Sequence, residues 1–190
     1  MIIKNKNKLT TPCDVVSIKE GEEIGVRLLH EVRQSENGIG LAANQIGINK
    51  RVCIVNVKEP IVLINPKIVE KSKEQFVFAE GCLSFPKDKI RTIRYKEITV
   101  EADNHNSKLV FSADSKNIDD AFECVCVQHE IDHLDGVTMF DREWKQEPIK
   151  VEKKIGRNEK VLIACGTESK VMKYKKAEPL LEDGWTLVEA

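Results

Sequence analysis

Two histidines four residues apart, His129 and His133, are the residues of this sequence best placed to do chemistry. In a helix, positions four apart share a face, so the imidazoles stand side by side. Paired neutral imidazoles at that spacing hold a divalent metal, and the adjacent Glu130 can reach a metal-bound water without being a ligand. The full stretch is Gln128-His129-Glu130-Ile131-Asp132-His133, preceded by the apolar run Ala121-Phe122-Glu123-Cys124-Val125-Cys126-Val127. The plain alternative is a surface helix with two incidental histidines. The apolar run argues against it: a buried helix carries polar side chains only where they coordinate or hydrogen-bond something. Two histidines make half a site. Cys82, bracketed by glycine and proline in Glu80-Gly81-Cys82-Leu83-Ser84-Phe85-Pro86, is the candidate for the third ligand. Thiolate and imidazole both suit a borderline-soft divalent ion, and three ligands leave a fourth position open, as in catalytic rather than structural sites.

The elements that must position these residues follow from pattern. Apolar spacing predicts a helix over about Glu22 to Ser35, with Ile24, Leu28, Leu29 and Val32 on one face. Short Val/Ile/Phe-rich runs at Arg51 to Val57, Ile61 to Ile64, Lys67 to Val69, Gln75 to Phe78, Glu97 to Ala102 and Lys108 to Ala113 read as antiparallel strands. The Glu80–Pro86 stretch reads as a loop or strand end. Asn117 is a candidate N-cap for the histidine helix and Gly136 a left-handed stop. The glycine-rich Gly38–Gly47 stretch lacks the lysine and Ser/Thr of a phosphate-binding loop.

A formal net charge of −1 gives no global pull toward nucleic acid or an anionic membrane. No stretch approaches a membrane span, and the start, Met1-Ile2-Ile3-Lys4-Asn5-Lys6, lacks the apolar block of a secretory signal. Four of the six cysteines lie in apolar runs, where a free cysteine behaves as a small hydrophobe. The expectation is a reduced, cytoplasmic, monomeric protein. The chain changes character after about Trp144: a short helix is expected over Glu147 to Ile155, strands at Lys160 to Ala164 and Lys170 to Tyr174, a helix over Ala177 to Asp183, and a strand at Trp185 to Val188.

Three stretches taken together resemble the peptide deformylases: Gly38-Ile39-Gly40-Leu41-Ala42-Ala43-Asn44-Gln45, Glu80-Gly81-Cys82-Leu83-Ser84, and Gln128-His129-Glu130-Ile131-Asp132-His133. They match that family's GxGLAAxQ, EGCLS and QHExDH motifs in order. The resemblance covers roughly Leu9 to Asp141. It implies an α+β fold with antiparallel sheets around a central helix carrying the histidines. It also implies hydrolysis of the formyl group from the formyl-methionine of nascent polypeptides. The ligand set it implies is Cys82, His129 and His133 around one divalent metal, commonly Fe²⁺, with zinc, nickel or cobalt able to take its place. Glu130 becomes the acid–base group, with the Gln45 amide and the Leu83 backbone N–H as oxyanion donors. By position, Ile39, Phe122, Val125 and Cys126 line the methionine pocket, the alternative being plain helix core, and Gly40 offers its backbone to the peptide. Glu80, Arg94 and Asp132 form a charge network behind the ligands. A zinc peptidase of HExxH type, or a non-catalytic metal- or ribosome-binding module, are the competing readings. Cys82 and Gln45 argue against the first, and intact Glu130 and Gln45 against the second.

Two departures stand out. Asn44 occupies a place where the family usually has proline, which is expected to loosen the loop that aims Gln45. The chain is read as a catalytic domain over 1–144 and an αβ extension over 145–190 that matches nothing in the family. That extension is a cap on the sheet or a partner-binding piece such as a ribosome contact.

Overall fold

The computed structural model describes residues 2–113, 117–145, 155–165 and 168–188. Its contacts divide the chain into two compact units, Met1–Lys145 and Gln146–Ala190.

In the first unit, α1 (Ile18–Gln34) is capped by Ser17, whose side chain accepts from the Glu20 N–H. Ile24, Leu28 and Val32 form its buried stripe. The helix starts at Ile18 rather than Glu22, because its exposed first turn carries a cap and no apolar repeat. Three strands follow, β1 (Gly40–Ala42), β2 (Val52–Val55) and β3 (Ile61–Ile64), forming an antiparallel sheet of order β1-β2-β3. Alternation along β2 divides the core. Val52 and Ile54 pack with Leu28 and Val32 of α1, while Cys53 and Val55 pack with Cys124, Cys126, Val127 and Ile131 of the histidine helix.

Next come β4 (Lys67–Lys71), a long hairpin of β5 (Gln75–Cys82) and β6 (Phe85–Tyr95), then β7 (Glu97–Glu101) and β8 (Leu109–Ser112). Strands β4, β7 and β8 make a second antiparallel sheet, and β5 and β6 pair with each other. The sequence pattern ends the strand at Phe78 and leaves β6 unmarked. Residues 86–89 of β6 are all exposed, so no apolar alternation marks its start.

α2 (Ile118–Leu134) carries the histidines. Asn117 caps it, accepting from the Asp119 N–H, and Gly136 at φ +75° ends it as expected. A Cβ at Gly136 would lie 2.7 Å from the Thr10 carbonyl oxygen, a second reason for glycine there. Twelve consecutive residues, Glu123 to Leu134, are buried. The architecture is α+β, with antiparallel sheets around α2.

In the second unit, β9 (Lys160–Cys165), β10 (Glu168–Lys173), α3 (Tyr174–Glu182) and β11 (Thr186–Val188) form an antiparallel sheet of order β10-β9-β11 with one helix. Val161, Ile163 and Ala177 are its small core. Tyr174 opens α3 rather than closing a strand. The helix expected over Glu147 to Ile155 falls on residues that, apart from Ile155, lie outside those described. Among the described residues no helix is long and apolar enough to cross a membrane.

Candidate metal centre

Helix geometry brings the His129 and His133 rings to 4.8 Å between centroids, edge to face. Cys82 is the last residue of β5, and a register shift between Gly81 and Cys82 takes it out of the regular ladder just before the Leu83-Ser84 turn. Its Sγ lies 3.3 Å from His133 Nε2, and the donor atoms of Cys82, His129 and His133 all lie within 4.8 Å of one another. The two rings sit in different environments. Burial drives the His133 imidazole well below its usual range, so it is neutral. Burial pushes His129 the same way, but hydrogen bonds with Cys82 and Glu80 outweigh it and hold that ring well above its usual range. Two imidazoles and a thiolate are a donor set that takes a zinc- or iron-type divalent ion, so the residues fit a metal.

Behind the ligands sits a buried charge network. His129 Nδ1 is 2.8 Å from Glu80 Oε2, and the Arg94 guanidinium grips Glu80 through Nη2 at 2.8 Å and Nε at 2.5 Å. The Thr92 hydroxyl donates to Glu80 as well. Burial raises the Glu80 pKa, but the Arg94 and His129 hydrogen bonds more than reverse that and bring it down to about 2, so it stays ionised. Arg94 also donates through Nη1 to Asp132 at 2.5 Å, and Arg142 Nη2 approaches the other Asp132 oxygen at 2.7 Å. Gln128 anchors α2 to the end of β6, accepting from the Tyr95 N–H and donating to the Tyr95 carbonyl, both at 2.9 Å. The network thus joins α2 to both strands of the hairpin that carries Cys82.

In front of the ligands lies a cavity of about 520 Å³ lined by Ile39, Gly40, Gln45, Leu83, Phe122, Val125, Cys126 and Glu130, together with Cys82 and His129. Val125 and Cys126 are at once pocket wall and core, at 4% and 5% exposure. Phe122 is partly exposed and meets Phe78 edge-on at 5.1 Å. Gly40 makes room for the carboxylate: a Cβ there would sit 2.5 Å from both Cys126 Sγ and Glu130 Oε1. Glu130 is buried with Oε2 unpartnered, and burial pushes its carboxyl up to about 7. The Gln45 amide is clamped at one end, where Oε1 accepts from the Ala42 N–H at 2.8 Å. Its Nε2 donates to Ser84 Oγ at 3.1 Å and to Cys82 Sγ at 3.4 Å. A larger cavity of about 870 Å³, lined by Arg51, Asp132 and Arg142 among others, includes none of the three donors.

The polypeptide deformylase family model matches residues 2–148. The chain belongs to the polypeptide deformylase family. The peptide deformylase of Natranaerobius thermophilus is 40% identical over 144 residues, spanning 74% of this chain and 85% of that protein. Among solved structures, the peptide deformylase of Thermotoga maritima superposes with a TM-score of 0.66 at 30% identity, over 76% of this chain and 97% of that one. A class I type b peptide deformylase from Acinetobacter baumannii, solved with Met-Ala-Ser bound, gives a TM-score of 0.64 at 28% identity, over 75% and 96%. Peptide deformylases are metal-dependent hydrolases, and this chain is such an enzyme.

The structure places Gln45, Leu83, Ile39, Gly40, Phe122, Val125, Cys126 and Glu130 around one cavity with Cys82 and His129. It sets His133 beside Cys82, puts Glu80, Arg94 and Asp132 in the network behind, and adds other residues. Thr92 and Arg142 belong to no motif; Arg142 reaches Asp132 from the 3-10 turn Met139–Arg142. Asn44 reverses its expectation. Instead of loosening the Gln45 loop, its buried side chain ties that loop to α2, with Nδ2 donating to the His133 carbonyl at 2.6 Å.

Proposed function

We propose that Cys82, His129 and His133 hold the metal of the deformylase reaction, that Glu130 moves the proton, and that Gln45 and Leu83 supply the oxyanion donors. The observation that carries this reading is convergence: three donors lie within 4.8 Å of one another, and two of them, Cys82 and His129, line one cavity with a buried, unpartnered carboxylate oxygen and a clamped amide. A divalent metal there supplies Lewis acidity and makes water nucleophilic near neutral pH. The resemblance and the donor set support Fe²⁺ as the native ion, with Zn²⁺, Ni²⁺ or Co²⁺ able to replace it. Iron content after purification without air tests that choice.

The substrate is the formyl-methionyl end of a nascent peptide, met in the cytoplasm. Its methionine side chain enters the cavity bordered by Ile39, Phe122, Val125 and Cys126, and the peptide runs past the Gly40 backbone. The oxygen of water joins the formyl carbon, the C–N bond breaks, and formate and a free amine leave. Glu130 takes a proton from the attacking water and delivers it to the amine nitrogen. Negative charge developing on the formyl oxygen is met by the Gln45 Nε2–H and the Leu83 N–H. One such donor is worth about 3 kcal/mol in kcat. Glu80, Arg94 and Asp132 hold the ligands in orientation. Every residue in this reading precedes Trp144. On that ground 1–144 is read as the catalytic domain, 145–190 as an appended αβ element, and the enzyme as a monomer. The test is formate release from formyl-Met-Ala-Ser, with no turnover of acetyl-Met-Ala-Ser and no cleavage of an internal peptide bond. Cleavage of the internal bond would make it a peptidase, and inertness toward all three a metal-binding module.

A further inference from the structure

A ligating imidazole needs a partner for its second ring nitrogen, which fixes tautomer and rotation. His129 has one in Glu80, 2.8 Å from Nδ1. His133 lacks the equivalent contact. Its Nε2 faces Cys82 at 3.3 Å, and its Nδ1 is buried without a protein partner among the described residues. Two other buried side-chain atoms share that condition, Glu130 Oε2 and Asn44 Oδ1. Glu130 lines the catalytic cavity and is absorbed by the reaction. Asn44 is not absorbed by anything, although it is only 4% exposed.

Asn44 already touches His133. Its Nδ2 donates at 2.6 Å to the His133 main-chain carbonyl, across 89 residues of sequence. An imidazole that ligates through Nε2 carries its hydrogen on Nδ1, so the ring has an unmet donor. The amide that holds the same residue's carbonyl has an unmet acceptor. Leaving a complementary buried pair unsatisfied is costly, and one buried water with two polar partners is enough to join them. We propose that Asn44 is the positioning residue of His133, holding its carbonyl through Nδ2 and accepting its Nδ1–H at Oδ1 through one buried water. The two histidines are then oriented differently: His129 by a carboxylate inside an ion network, His133 by a neutral amide. Because Asn44 precedes Gln45, the same side chain ties the proposed oxyanion donor to the ligand it works beside.

The proposal rests on His133 being a metal ligand, and the experiment separates the two. Zinc-loaded full-length chain labelled with ¹⁵N-histidine is observed by NMR, and zinc affinity is measured by chelator competition. The expected wild-type signature is a His133 Nδ1–H resonance that exchanges slowly with bulk water. Asn44→Leu, which keeps the volume and removes both polar atoms, is expected to lose that protection and to weaken zinc about 10- to 100-fold, with unchanged far-UV circular dichroism. If Asn44→Leu keeps both the slow resonance and the affinity, Asn44 is a packing residue and the proposal is overturned. Should that variant not fold, wild type alone decides: a His133 Nδ1–H that exchanges as fast as free imidazole overturns the proposal. A His133→Ala protein with undiminished zinc affinity would instead bring down the ligand assignment, and the proposal with it.

Discussion

The helices α1 and α2 are each 17 residues long, and each opens on a polar side chain that caps it. They are held in place by different physics. α1 buries a stripe, Ile24, Leu28 and Val32, and leaves Lys19, Glu20, Glu22 and Glu23 in solvent, so its docking is a matter of apolar area. α2 is buried from Glu123 to Leu134 on every side, including Gln128, His129, Glu130, Asp132 and His133. Several of those polar side chains are answered from elsewhere in the chain, His129 by Glu80, Asp132 by Arg94 and Arg142, and Gln128 by the Tyr95 backbone, whereas Glu130 Oε2 and His133 Nδ1 stay unpartnered at the site. Two helices of one length and one style of cap thus divide the work. The first packs through an apolar stripe alone, and the second joins core packing to the polar groups of the site.

Substitutions break this contrast in a definite order. Cys82→Ser is expected to weaken metal binding and nearly abolish formate release, whereas Cys165→Ser, at an exposed position outside the site, is expected to leave both alone. Metal analysis beside the rate decides it; a Cys82→Ser enzyme with full metal and wild-type rate removes Cys82 from the centre. Glu130→Gln comes next, with kcat lower by roughly 10²–10⁴ at unchanged metal stoichiometry. If that variant loses its metal, Glu130 is a ligand and its proton-transfer role is wrong. Arg94→Leu leaves Glu80 and Asp132 charged and buried without their shared partner, at a cost of about 3–5 kcal/mol in urea unfolding. A loss under 1 kcal/mol would mean that Arg142 and water replace it (~1 kcal/mol being the range of an exposed pair).

On α1 the same measurements should come apart. Leu28 is fully buried, so Leu28→Ala is expected to cost about 2–5 kcal/mol of stability while kcat on a short formyl peptide stays at the wild-type value. A parallel fall in kcat in the folded variant would show that the scaffold helix tunes the site. The smallest effect belongs to the cap: Ser17→Ala removes the bond to the Glu20 N–H and is expected to cost about 1 kcal/mol, read as a shift of the unfolding midpoint alone. A change in the metal-dependent rate there would erase the distinction between the two helices.

Features that depend on neighbours a few residues apart could be read directly from the chain. The shared face of His129 and His133, the Asn117 cap and the Gly136 stop follow from helix geometry and local backbone preference, and they stand in the structure where pattern puts them. Cys82 and Gln45 were legible through their motifs, but nothing local says that their side chains meet. Their 3.4 Å contact spans 37 residues. Tertiary structure alone decided the rest. β6 carries Thr92 to Glu80 in the core although its exposed start shows no apolar alternation. Arg142 lies in none of the motifs, and only the fold sets it opposite Asp132. Asn44 reads as a loosened loop until its amide meets the His133 carbonyl 89 residues away. The physical reason is common to all of them. Burying a polar group without a partner is costly, and the partner is set by which elements pack together rather than by which residues are adjacent in sequence.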